Sequence, residues 1–116
     1  MLQTQCLKVP IIPGKEAEVK NWLAALSTRH QEVLEAITSE DIADEAMFYA
    51  KEPSGEFLYL YSRAPDLAVA GAAFQKSQLP IDQEFKRISA ECLDYRSAIR
   101  LELLLSADSR NKYVYP

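Results

Sequence analysis

Apolar residues along this chain switch between two periods. From Gly14 to Ile37 they recur at helical spacing. From Glu45 to Ser62 they alternate, as in two strands paired around the turn Pro53-Ser54-Gly55. A strand-like run precedes this core, and a helix-then-strand run follows it. The order reads β-α-β-β-α-β.

Leu2 to Val9 predicts the first strand. Two prolines and Gly14 within Pro10–Gly14 end it. Lys15 to Ser39 predicts one helix, with Val19, Trp22, Leu23, Leu26, Val33, Leu34 and Ile37 on a single stripe. At about 1.5 Å per residue it would run roughly 35 Å, with Ser27-Thr28 as the place for a kink. Glu45–Lys51 and Phe57–Arg63 read as the hairpin strands. Phe57, Tyr59 and Tyr61 share one face of the second strand, and Leu58 and Leu60 the other. Asp66 to Lys76 predicts a small-sided helix whose inward row is Leu67, Ala70 and Phe74. Pro80 opens another helical stretch, with Ile81, Phe85, Ile88 and Cys92 in line. Ala98 to Ser106 predicts the last strand, with Ile99, Leu101, Leu103 and Leu105 on one face.

Two β-α-β units built this way give a ferredoxin-like α+β domain: an antiparallel sheet with helices on one face. The strands carry bulky apolar residues on both faces, so the second face needs cover. Two copies placed sheet to sheet supply it, which predicts a homodimer, a dimeric α+β barrel. The domain is expected over 1–106, with 107–116 as a tail whose Tyr113-Val114-Tyr115 could dock on a neighbour.

Composition narrows the function. The 116 residues suit one modest core, and 48% are hydrophobic. Net charge is −4, with 13 basic residues scattered among 17 acids, so nucleic-acid binding is disfavoured. No apolar run approaches a membrane span, and Met1–Val9 has no signal-peptide pattern. Cys6 and Cys92 lie far apart in core-like settings without Cys-x-x-Cys or Cys/His spacing, as reduced thiols in a cytoplasmic protein would.

Several segments resemble a small bacterial family of uncharacterised proteins in the dimeric α+β barrel superfamily. They are Lys8–Lys15, Val19–Leu23, Phe57–Tyr61, Pro80–Lys86, Glu91–Leu93 and Leu101–Leu104. The resemblance implies the dimeric barrel and carries no assigned reaction. Members of that family often have a His near the position of Phe85, which this chain lacks. The superfamily is similar in fold to cofactor-independent monooxygenases, haem-degrading enzymes, muconolactone isomerases and stress-induced proteins.

Candidate chemistry is sparse. His30 is the only histidine, so a His-rich metal site is excluded. It continues the apolar stripe, either as a partly buried hydrogen-bonded side chain or as a general base or, by superfamily resemblance, a haem ligand. Asp82 sits in the first turn after Pro80, where a carboxylate suits the helix dipole or faces a pocket. Asp82–Lys86 and Glu84–Arg87 have ion-pair spacing. Tyr49, Tyr59 and Tyr61 form an aromatic wall with Phe57 if they point the same way. Glu45 and Glu102 on otherwise apolar strands face water, a basic partner or a cavity, and Arg100 is the available partner for Glu102. Phosphate loops, metal-ligand spacing and a cofactor motif are absent from the sequence.

The expectation is a homodimeric module that binds a small apolar or aromatic molecule, or an accessory protein. Its pocket would lie between sheet and helices, lined by Trp22, Tyr59, Tyr61, Phe74 and Phe85. The alternative is a cofactor-independent monooxygenase or an isomerase acting on an aromatic or polyketide-like compound, with His30, Tyr49 or Asp82 moving a proton. A third reading is a protein whose dimer surface is itself the function.

Overall fold

Strand β1 (Gln3–Pro10) is the pivot of the sheet. The computed structural model describes residues 2–110 and the backbone of 113–115. After β1 come helices α1 (Glu16–Leu26) and α2 (His30–Ser39), then strands β2 (Asp44–Glu52) and β3 (Gly55–Ala64). Helices α3 (Leu67–Lys76) and α4 (Pro80–Cys92), a single 3-10 turn (Tyr95–Ser97) and strand β4 (Ile99–Arg100) complete the α+β domain. The sheet order is β2-β3-β1-β4, antiparallel throughout. This is the ferredoxin-like arrangement, with each helical crossover split in two.

The hairpin register sets which side chain goes where. Tyr49 stands opposite Leu58, and Phe48 opposite Tyr59. Across β1 and β3, Val9 meets Leu58 and Lys8 meets Tyr59. Because strand side chains alternate, Val9, Leu58, Leu60, Met47 and Tyr49 share the helix side. There Val9, Leu58, Val19, Ile88 and Cys92 form the buried core. Gly55 holds a φ of +145° at the hairpin turn, a value open to glycine. Asp66 caps α3, accepting from the Ala68 and Val69 amides at 3.0 and 3.1 Å.

The single helix expected over Lys15–Ser39 is two. The chain breaks at the anticipated weak point, Ser27-Thr28. Ser27 Oγ donates to the Ala24 carbonyl at 2.6 Å and Thr28 Oγ1 to that of Ala25 at 2.8 Å. These local bonds compete with continuation of the helix. The break turns Leu34 outward, 53% exposed, although it lay on the expected apolar stripe.

The last strand is also shorter than the pattern implies. Only Ile99 and Arg100 pair with β1, and the Leu101 amide adds one bond to the Cys6 carbonyl at 2.9 Å. Among the described residues, Glu102 to Leu105 then runs without a strand partner. Ser106–Asp108 (β5) pairs antiparallel with Tyr113–Tyr115 (β6) as a separate hairpin. Alternation reports which face is apolar, not whether a partner strand lies alongside. The side chains expected to dock from Tyr113-Val114-Tyr115 lie outside the described residues.

The sheet face opposite the helices carries Phe48, Phe57, Tyr59 and Tyr61, and no described helix covers it. Phe48 is 58% exposed. Next to this face, Ile99, Leu101, Leu103, Leu104 and Leu105 are all exposed.

Candidate functional site

A chamber of about 220 Å³ opens between the sheet and the helices. Leu60 and Met47 form its floor, Ile37 and Ile42 one wall, and Phe74 and Phe85 the other. Its polar end holds Glu40, Glu45 and Asp82. Among its described lining residues there is no Lys, Arg or His.

Each carboxyl is placed by a local device. Glu40 follows α2, whose end is wrapped by two bonds: the Asp41 amide to the Thr38 carbonyl at 3.1 Å and the Ile42 amide to the Ile37 carbonyl at 2.9 Å. That is a Schellman closure, and it needs a left-handed residue after the cap. Asp41 supplies it with φ +56°. Asp82 stands in the first turn of α4, behind Pro80. Ser77 ties it there: Ser77 Oγ donates to Asp82 Oδ2 at 2.5 Å and accepts from the Leu79 amide at 3.2 Å. Lys86 braces the same loop by donating to the carbonyls of Gln75 and Ser77, at 2.9 and 3.3 Å. Glu45 projects from the helix side of β2 and remains exposed at the chamber mouth.

Glu40 and Asp82 are each only 5% exposed. Glu40 Oε2 is buried and receives no hydrogen bond from a donor among the described residues. The Asp82 side chain lies within its hydrogen-bonding reach. Burial first, then that hydrogen bond and the charges of Asp82 and Glu45, push the Glu40 carboxyl up to about 8; Lys86 opposes the shift. At neutral pH Glu40 therefore holds a proton and can donate it to Asp82. Glu40 and Asp82 together put two buried carboxyls at the end of an apolar chamber, a grouping suited to hydrogen-bonding a ligand.

The other residues singled out from the sequence scatter around this chamber. Phe74 and Phe85 line it, and their rings meet edge to face at 5.6 Å. Trp22 stacks edge to face on Phe85 at 5.3 Å but stays outside the lining. Its indole N–H faces Glu84 at 3.4 Å. Tyr59 is on the opposite face of the sheet, where its hydroxyl donates to Glu52 Oε2 at 2.5 Å. Lys8 Nζ meets the other oxygen of Glu52 at 2.8 Å. Tyr61, on the same face as Tyr59, touches both the chamber rim and a cavity on the open face. Tyr49 sits on the helix side, where its hydroxyl bonds to Glu56 and Lys20 covers its ring. The expected aromatic wall is thus divided between two faces.

His30 is exposed at the start of α2. It lines a separate surface groove with Leu26 and Val33 and does not reach the chamber, contrary to a partly buried place on the stripe. Glu45 and Met47 border both spaces. Glu102 is exposed beside the open-face cavity, and no ion pair among the described residues joins it to Arg100. The helix charges also pair differently from their spacing. Glu84 is held by Arg29 at 2.8 Å, Arg87 pairs with Glu91 at 3.5 Å, and Asp82 is bound by Ser77 rather than Lys86. Only the Glu84 partner, Arg29, lies far away in the sequence, just before α2; Arg87 pairs one turn along its own helix.

Sequence reasoning missed Glu40. Its signal was position: it falls three residues after Ile37 and seven after Val33, on the apolar stripe of α2. A carboxylate there is either a cap residue or a buried acid.

Residues 2–112 match the model of a family of unknown function, DUF6176. The chain belongs to that family. Among curated proteins, none matches it. Among solved structures it is similar to Rv0793 from Mycobacterium tuberculosis, with 12% identity and a TM-score of 0.58, over 93% of this chain and 100% of that one. At that identity the likeness shows the fold and carries no activity across. Within the described residues of this DUF6176 member, no three His, Cys, Asp or Glu side chains are grouped to hold a metal ion. No described helix is long and apolar enough to cross a membrane.

Proposed function

We propose that the protein is a homodimeric module that binds a small, mostly apolar molecule in the chamber between sheet and helices. The observation that carries this reading is the chamber itself: apolar walls ending in a buried carboxyl pair with one unsatisfied oxygen. Ligand sites commonly combine an apolar lining with a few placed polar groups. A bound ligand would fill the space and supply a partner for the buried oxygen.

The dimer follows from the other face. Phe48 and the run Ile99–Leu105 present apolar side chains to water, and the backbone of Glu102–Leu105 has no strand partner. A second copy laid on this face would cover both. Reduced Cys6 and Cys92 agree with a cytoplasmic protein.

A second reading has its own observation. The Glu40–Asp82 pair, with Glu40 protonated at neutral pH, is equipped for proton transfer. In the isomerase or cofactor-independent monooxygenase alternative, this pair takes the part expected of His30, Tyr49 or Asp82 alone.

Native mass spectrometry of gently purified protein tests the assembly, with a dimer expected and a bare monomer contradicting it. Titration with benzyl alcohol, followed by NMR, tests the chamber. Shifts confined to Phe74, Phe85 and Met47 are expected, and none at those residues would contradict the reading.

A further inference from the structure

Resting on the chamber reading above, we infer that the natural ligand is a small organic ammonium compound, its apolar body on Phe74, Met47 and Leu60 and its nitrogen among Glu40, Asp82 and Glu45. The ionisable acids of the chamber are three carboxyls, set beside the uncharged Gln5, Ser62, Tyr61 and Tyr95. Three carboxyls face a space whose lining carries no basic side chain among the described residues. Glu40 lines that space at 5% exposure, and its Oε2 receives no donor from the described residues. An N–H group satisfies such an oxygen, and an ammonium offers several N–H donors to several carboxyls at once. An anionic ligand would meet only like charge. A bare divalent cation fits poorly, because the carboxyls are not grouped as metal ligands. An apolar body with a cationic end matches both halves of the chamber, and the rings of Phe74 and Phe85 tolerate a cation nearby.

The site also makes binding proton-linked. In the empty chamber the Glu40 proton offsets the crowding of negative charge. The titratable groups around it are Asp82 and Lys86 from α4, Glu45 from β2, Tyr61 from β3, and Tyr95 from the 3-10 turn. An ammonium nitrogen replaces that proton as the neutralising charge, so binding near pH 7 releases it. The proton leaves Glu40 for the buffer, and no covalent bond forms or breaks in the ligand.

Titration calorimetry with benzylamine and benzyl alcohol at pH 7, each run in phosphate and in Tris, tests the inference. The amine is expected to bind roughly tenfold or more tightly than the alcohol, the advantage of a charged hydrogen bond. Its apparent enthalpy should depend on the buffer as release of about one proton requires. Glu40→Gln should abolish the proton release and most of the preference for amine while leaving alcohol binding. Asp82→Asn provides a second variant, expected to weaken amine binding selectively. Equal binding of amine and alcohol would overturn the ammonium inference and leave the chamber reading standing. Amine binding without proton release would overturn the role given to Glu40. Failure of both probes to bind would overturn the inference and the chamber reading together.

Discussion

Glu40, capping α2, and Asp82, in the first turn of α4, bring two carboxyls within hydrogen-bonding reach, each 5% exposed. Burial and the neighbouring acid favour the protonated form of Glu40. The backbone closure at Asp41 and the Ser77 loop hold them in place. The pair gives the helix–sheet chamber its chemistry.

The pair fixes how stability depends on pH. Glu40 moves from an ordinary 4.5 to about 8 on folding. Between those values the folded state binds more protons than the unfolded one, so stability falls as pH rises through this window. The loss is complete above about pH 8. It is on the order of a few kcal/mol, since each tenfold gain in proton affinity is worth about 1.4 kcal/mol. Urea unfolding from pH 5 to 9 should show this decline, and Glu40→Gln should flatten it. A wild-type curve flat across the window would contradict the assignment.

Asp41 holds φ +56° to close α2. Glycine adopts that conformation without the Cβ conflict. Asp41→Gly should therefore raise stability by about 0.5–1 kcal/mol, less the extra chain entropy of glycine. Thermal unfolding measures it, and a clear loss would show that the Asp41 side chain contributes more than its backbone angle.

Trp22 ties α1 to α4 through Phe85 at 5.3 Å and Glu84 at 3.4 Å. It is half-buried, so Trp22→Ala should cost about 3 kcal/mol, the low end for large aromatic truncations. An unchanged melt would remove it from the packing that supports the chamber wall.

Leu103 lies 42% exposed in the unpaired run after β4. If a second copy covers that run, Leu103→Asp places a charge in the interface. The dimer dissociation constant should rise on the order of a hundredfold, as for a central interface residue. Sedimentation across a dilution series reads this directly. A variant as dimeric as the wild type would place the interface elsewhere.

The chain announced its fold more fully than its site. The turn Pro53-Ser54-Gly55, the alternation of Phe57 to Tyr61 and the stripe ending at Cys92 were legible because local spacing and one buried face specify them. Local pattern could not show that Ser27 and Thr28 would end a helix rather than bend it. Nor could it show that Glu102–Leu105 would lack a neighbouring strand among the described residues. Tyr49 and Tyr59 stand on adjacent strands yet point to opposite faces, because the register places Tyr49 beside Leu58 and Tyr59 beside Phe48. That offset is a property of the pairing, invisible in either strand alone. Glu40 was obscured for a related reason: its partner Asp82 lies 42 positions further along the chain.

The most direct test is a pH titration of the Glu40 side-chain carboxyl by carbon-13 NMR, with Glu40→Gln used to assign the signal. A midpoint near 8 is expected, set by burial and by Asp82. The midpoint should fall in Asp82→Asn, which removes the neighbouring charge. A midpoint in the ordinary carboxylate range, near 4.5, unchanged by that substitution, would contradict the raised Glu40 carboxyl.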